Sequence, residues 1–159
     1  MILQLLQDAM FSAIAAIGFA SISNPPARAF VYCALIAAIG HSFRFLEMQA
    51  LGMHIVLATL LASLLIGILA VLFSARSRVP AETYLFPSLL PMIPGIYAYK
   101  AFAGLVMCVY RSGEDTFDHY FYLFSSNGLT CFFILLVMAV GATVPLFMMK
   151  RISFTATRR

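Results

Sequence analysis

Leu85-Phe86-Pro87-Ser88-Leu89-Leu90-Pro91-Met92-Ile93-Pro94-Gly95-Ile96-Tyr97-Ala98-Tyr99-Lys100 is apolar enough to lie in a membrane and too interrupted to be one helix. Each proline withdraws a backbone donor and presses its ring against the carbonyl one turn earlier. Pro91, Pro94 and Gly95 together therefore predict a break, not a bend. Counted from Tyr84 at about 1.5 Å per residue, the second half restarts roughly 16 Å into a bilayer core about 30 Å thick, near its midplane. Open backbone at that depth survives only where protein or a water-filled cavity covers it, and half-helices of this kind hold substrates in transporters. The helix N-terminus that starts at Pro94-Gly95 exposes unpaired amide donors and a partial positive charge, which suit a carboxylate. Tyr97, Tyr99 and Lys100 follow as candidates to line the site, although the Lys100 stem also allows its amine to snorkel outward.

The composition points the same way. Of 159 residues, 63% are hydrophobic and 10% charged, and the mean hydropathy is +0.98, against roughly 45–50% apolar and 25% charged in soluble domains. An all-α integral membrane protein follows, with room for a single transmembrane domain over residues 1–159 and little else. The net charge of +4 is concentrated at the chain end, in Lys150, Arg151, Arg158 and Arg159, which argues for a cytoplasmic C-terminus and against nucleic-acid binding. Cys33, Cys108 and Cys131 are an odd number within apolar runs and read as small core residues, not a disulfide framework. The N-terminus lacks a basic segment and carries Asp8 where a signal core would lie, so a retained helix is expected there.

Five spans are expected, at about 2–22, 29–45, 50–73, 84–110 (broken near 94) and 129–149. In the first, Gln4, Asp8 and Ser12 recur every four residues with Gln7 beside them and form a polar stripe, either packing against other helices or serving a substrate or proton. Asn24 is expected to cap the second helix, with Pro25 and Pro26 in its first turn. If helices one and two form an antiparallel hairpin about residue 25, Asp8 lies level with residue 42, flanked by His41 and Arg44 on one face. An Asp8–Arg44 pair with His41 beside it is the main geometric expectation, as a structural ion pair or as a gate. His54 opens the third helix as a hydrogen-bonded interfacial residue. Glu114, Asp115, Asp118 and His119 fall in a polar stretch, 111–126, that reads as a solvated loop. The helical spacing of Asp115 and His119 is the one hint of a metal, and neither a metal nor a cofactor is expected. The aromatic run Tyr120–Phe124 reads as an interface belt.

Positive charge orients the bundle. With five spans, Arg28, Arg76, Arg78, Lys150, Arg151, Arg158 and Arg159 share one side and Arg44 and Arg111 the other, which puts the N-terminus outside and the C-terminus inside. The alternative, four spans with helix two lying in the interface, moves Arg28 across to join Arg44 and Arg111. Five spans separate the charges better. Arg28 then stands at the cytoplasmic entrance.

Gln7-Asp8, Gly18-Phe19-Ala20, Asn24-x-Pro26-x-Arg28-Ala29, Cys33-Ala34-Leu35, Gly40-His41-x-x-Arg44 and Pro91-Met92-x-Pro94-Gly95-x-x-Ala98-Tyr99 together resemble the small-subunit (YjjB-type) members of the threonine/serine exporter-like family. The resemblance covers nearly the whole chain. It implies a bacterial inner-membrane exporter subunit, not an enzyme, that acts with a larger membrane subunit of the same family to move small carboxylates, succinate-like or threonine and serine. Lys100 lies outside the matched motif. The rival expectation is a non-transporting scaffold or regulatory subunit of that partner. A membrane hydrolase is disfavoured, because no serine or cysteine is plainly placed for His41 or His54.

Overall fold

The computed structural model describes residues 1–111, 113–149 and 152. The basic residues Lys150, Arg151, Arg158 and Arg159, on which the orientation of the C-terminus rests, lie outside them. The regular elements are α1 (Ile2–Ile22), α2 (Ala27–Ala50), α3 (Ile55–Ser77), α4 (Ala81–Leu89), a 3-10 turn (Leu90–Met92), α5 (Gly95–Tyr110) and α6 (Glu114–Met148). By length and composition α1, α2, α3 and α6 are each able to cross a membrane, and Ala81–Met92 with Gly95–Tyr110, bent by 52° at the break, adds a fifth crossing if the pair is one span. The chain is an all-helical membrane protein, as its composition requires.

Two compact units divide it: Met1–Met92 together with the segment from Val137, and Ile93–Leu136. The first unit packs through small residues. Ala16 and Ala20 of α1, Ala29, Cys33 and Ala37 of α2, and Ala62, Ile66 and Ala70 of α3 are fully buried. Small side chains let helix backbones approach closely, which is how helices associate where lipid removes the hydrophobic driving force. α3 and the end of α6 interlock in the same way. A side chain at Gly67 would meet the Ala142 carbonyl oxygen at 2.8 Å, and one at Gly141 would run into Ser63 and the Leu60 carbonyl. Gly141→Leu is therefore expected to overpack this contact at a cost of about 1–3 kcal/mol. The check is a lower melting temperature in detergent and reduced membrane abundance.

α4 and the 3-10 turn after it pack within the first unit along one buried stripe, Tyr84, Ser88 and Met92, spaced by four. Tyr84 lies between α2 and α3, its ring edge-on to Tyr32 at 5.7 Å and its hydroxyl 2.6 Å from Ser77 Oγ. Ser88 donates to the Cys33 carbonyl at 3.0 Å. Pro87 cannot donate to the carbonyl of Thr83, and that oxygen is met instead by Cys33 Sγ at 3.5 Å. The prolines thus leave acceptors within the span that α2 helps to satisfy.

In the second unit α5 lies against the first part of α6, with Ala101, Gly104 and Cys108 buried. A Cβ at Gly104 would sit 2.8 Å from Phe124 N and 3.0 Å from the Tyr120 carbonyl, so the two backbones nearly touch.

Several sequence expectations need correction. From residue 114 the stretch expected as a loop is helical: α6 begins at Glu114 and runs for 35 residues, roughly 52 Å at 1.5 Å per residue and longer than a bilayer core. Asp115 and Asp118 stand in its first turns, where the helix dipole favours acidic groups. Phe117 and Phe121 stack at 5.9 Å across one turn. Ser125 and Asn127 turn their side chains back to the carbonyls of Phe121 and Leu123, at 2.8 and 2.7 Å, so a polar run that resembles a turn stays helical. Asn24 is not a cap either: its φ of 44° is left-handed, a conformation asparagine tolerates, and Pro26 holds the N-cap position. α2 also outruns its expected end at Phe45, because no breaker precedes Gly52, whose φ is 62°.

Candidate functional site

The broken span has the predicted interruption. The 3-10 turn ends at Met92 and α5 restarts at Gly95, with Pro94 as N-cap and no side-chain cap hydrogen bond. Gly95 N donates to the Ile93 carbonyl at 2.8 Å, a tight local turn, and the regular ladder resumes with Ala98 N on the Pro94 carbonyl at 3.1 Å. The amides of Ile96 and Tyr97 lie between these two, at the donor end of the helix, where unpaired N–H groups gather. Gly95 is exposed, and a side chain there would meet nothing within 4 Å.

The candidates along α5 divide. Tyr97 is half-buried, while Tyr99 and Lys100 are exposed. Two residues apart on an α-helix is a rotation of about 200°, so Tyr97 and Tyr99 project to opposite sides and do not line one face together. Tyr97 shares the face of Ala101, Gly104 and Cys108.

At the other end of the interruption, Arg44 Nη1 donates to the Met92 carbonyl at 3.3 Å. A helix ends in carbonyls without intrahelical partners, and a cation at that end also complements the dipole. Arg44 therefore holds the terminus of the first half-span from α2.

The expected cluster forms with altered partners. Asp8 of α1 meets α2 at His41, one residue from the level the hairpin requires, with Nδ1 3.5 Å from Oδ2. The sequence reading paired Asp8 with Arg44; the two charges interact, but no salt bridge joins them among the described residues, and Arg44 Nη1 donates to the Met92 carbonyl. The Asp8 side chain is 38% exposed and that of His41 5%. Neither ring nitrogen of His41 has a hydrogen-bond partner among the described residues. Gly40 makes room for this arrangement, since a Cβ there would run into the Ile66 side chain.

Sequence reasoning missed Glu47. It is buried, and its Oε2 has no hydrogen-bond partner among the described residues. The signal was present in the three-residue spacing His41-x-x-Arg44-x-x-Glu47, but a helix ended at Phe45 left Glu47 outside it. Arg28 is exposed at the start of α2, and His54 caps α3, its Nδ1 accepting from Val56 N at 3.3 Å. Asp115 and His119 are exposed on α6. An apolar groove lined by Ala38, Ile39, Ser42, Phe43, Leu46 and Leu65 runs along α2 and α3.

Four to five candidate crossings, with a bent helix pair whose first half is clasped at its end by the half-buried Arg44, make this a multi-pass membrane protein. Comparison with known proteins gives the family. The chain belongs to the family described as threonine/serine exporter ThrE, whose model matches residues 8–148, and that family is one of membrane exporters. It is also 38% identical over 143 residues to a Haemophilus influenzae protein described only as an uncharacterized protein. The match takes in 90% of this chain and 47% of that relative, so the chain spans about half the length of the curated relative. No solved structure matches it.

Proposed function

We propose that the chain is one subunit of a two-component exporter in the bacterial inner membrane, which moves small carboxylates outward with a larger membrane subunit of the same family. The substrate is a small acid: threonine or serine, as the family's description reads, or a succinate-like dicarboxylate. The observation that carries this reading is the helix that restarts at Gly95 without a side-chain cap. Its first-turn amides and dipole meet the substrate carboxylate, with Tyr97 beside them and Lys100 and Tyr99 further out. Asp8, His41 and Arg44 form a charge cluster near the outer end that gates release, and Arg28 stands at the cytoplasmic entrance. The N-terminus lies outside and the C-terminus inside.

The test co-expresses the chain with its larger family partner, purifies the pair and follows its melting temperature across threonine, serine, succinate and neutral analogues. Binding to the folded state raises stability by about 2.7 kcal/mol at a hundred times Kd. A shift with one class of acid and none with its neutral analogue is expected. Absence of any shift, with full export by the partner alone, would assign the chain a scaffolding role instead.

A further inference from the structure

The polar stripe of α1 divides in the structure. Ser12 is 4% exposed and turns its hydroxyl back to the Ala9 carbonyl at 3.0 Å. Asp8 reaches His41 of α2. Gln4 and Gln7 are left exposed, and among the described residues no hydrogen bond engages either carboxamide. They belong to a longer row. Gln4, Gln7, Phe11, Ile14, Gly18 and Ser21 are all exposed, and their alternating spacing of three and four is the heptad seam along which two parallel helices pack. At about 100° per residue the rest of the exposed surface of α1 separates from this row. Leu3, Leu6, Met10 and Ile17 lie about a quarter-turn away and are wholly apolar, as a surface against lipid should be.

Two features of the row do not suit lipid. α1 is 21 residues long, about the thickness of a bilayer core, and Gln7 stands roughly 7 Å inside it. A carboxamide facing hydrocarbon at that depth leaves its donors and its acceptor unpaired, which is costly where no water replaces the partner. Gly18 is the other feature. A Cβ there would meet nothing within 4 Å, so no neighbour among the described residues requires a glycine, and inside a helix glycine is less favourable than alanine. Between membrane helices a glycine lets a second backbone come close.

We infer that this row is the contact through which two copies of the chain pair, α1 against α1, in parallel about a twofold axis along the membrane normal. The occupant is a second copy because the row is complementary to itself. A carboxamide both donates and accepts, so Gln4 and Gln7 of one copy satisfy those of the other. Copies inserted with the same orientation present the row in the same register, and Gly18 of one then meets Gly18 of the other. The row carries no charge, so no like-charge repulsion opposes the pairing, and Asp8 lies beside it, turned to His41.

The test is oxidative cross-linking of the full chain in the membrane, with Cys33, Cys108 and Cys131 replaced by alanine and one cysteine introduced at a time, with and without the larger family partner co-expressed. Phe11→Cys and Gly18→Cys are expected to give a disulfide-linked dimer of this chain, and Leu6→Cys and Ile17→Cys are expected to give only background. Adding Gln7→Leu to Phe11→Cys is expected to lower the linked fraction about threefold, the share of one hydrogen bond between membrane helices. Where the cysteine-free chain does not reach the membrane, a photoreactive phenylalanine analogue at the same four positions of the wild-type chain gives the same reading. Equal linkage on both edges, no linkage from Phe11→Cys and Gly18→Cys, or linkage from them to the larger partner in place of a second copy would overturn the inference. No substrate enters this measurement, so it fails or succeeds independently of the export reading.

Discussion

Arg44→Ala is expected to lower export by the two-component system at least about tenfold while the chain still reaches the membrane. The substitution removes a charged hydrogen bond worth about 1.5–3 kcal/mol and leaves the Met92 carbonyl, the last acceptor of the first half-span, without a donor. Each 1.4 kcal/mol lost from the competent conformation is about a factor of ten in its population. Arg44→Lys keeps the charge but not the planar donor fork, and partial recovery of flux is expected. Export normalised to membrane abundance is the measurement, and unchanged flux in Arg44→Ala would remove the residue from the mechanism.

Gly95→Leu has the other large expected effect, by a route that separates function from folding. A Cβ at this position meets nothing within 4 Å, so stability is expected to stay within about 0.5 kcal/mol of the wild type. The added side chain nevertheless stands over the first-turn amides, where the substrate carboxylate is proposed to bind, and export is expected to fall to background. The contrast with Gly141→Leu is diagnostic. There the clash is with Ser63 and a backbone carbonyl, and flux falls with the amount of folded chain in the membrane.

Much of this was legible in the chain. Prolines and a glycine inside an apolar span read directly as a break, because the chemistry that causes it is local. The hairpin register that brings Asp8 to His41 followed from counting about the turn at residue 25. What stayed hidden depended on context. Whether Ser125 and Asn127 end a helix or continue it turns on their bonding back to their own carbonyls, an option that amide and hydroxyl side chains always hold. The partner of Arg44 was missed for a related reason. A backbone carbonyl orphaned by a helix end competes with Asp8 for the guanidinium, and no pattern of charged letters displays such an acceptor. Glu47 was lost with the three residues that follow it, since the true stop is the left-handed Gly52.

The account depends on the amides that open α5 receiving an anion. The most direct measurement is a backbone amide NMR titration of the purified two-subunit complex, the small chain labelled, with threonine, serine, succinate and an uncharged analogue of each. Saturable shifts at Gly95, Ile96 and Tyr97 with an acid, absent with its uncharged analogue, are expected. Binding that leaves these three amides unmoved while perturbing residues elsewhere would contradict the account.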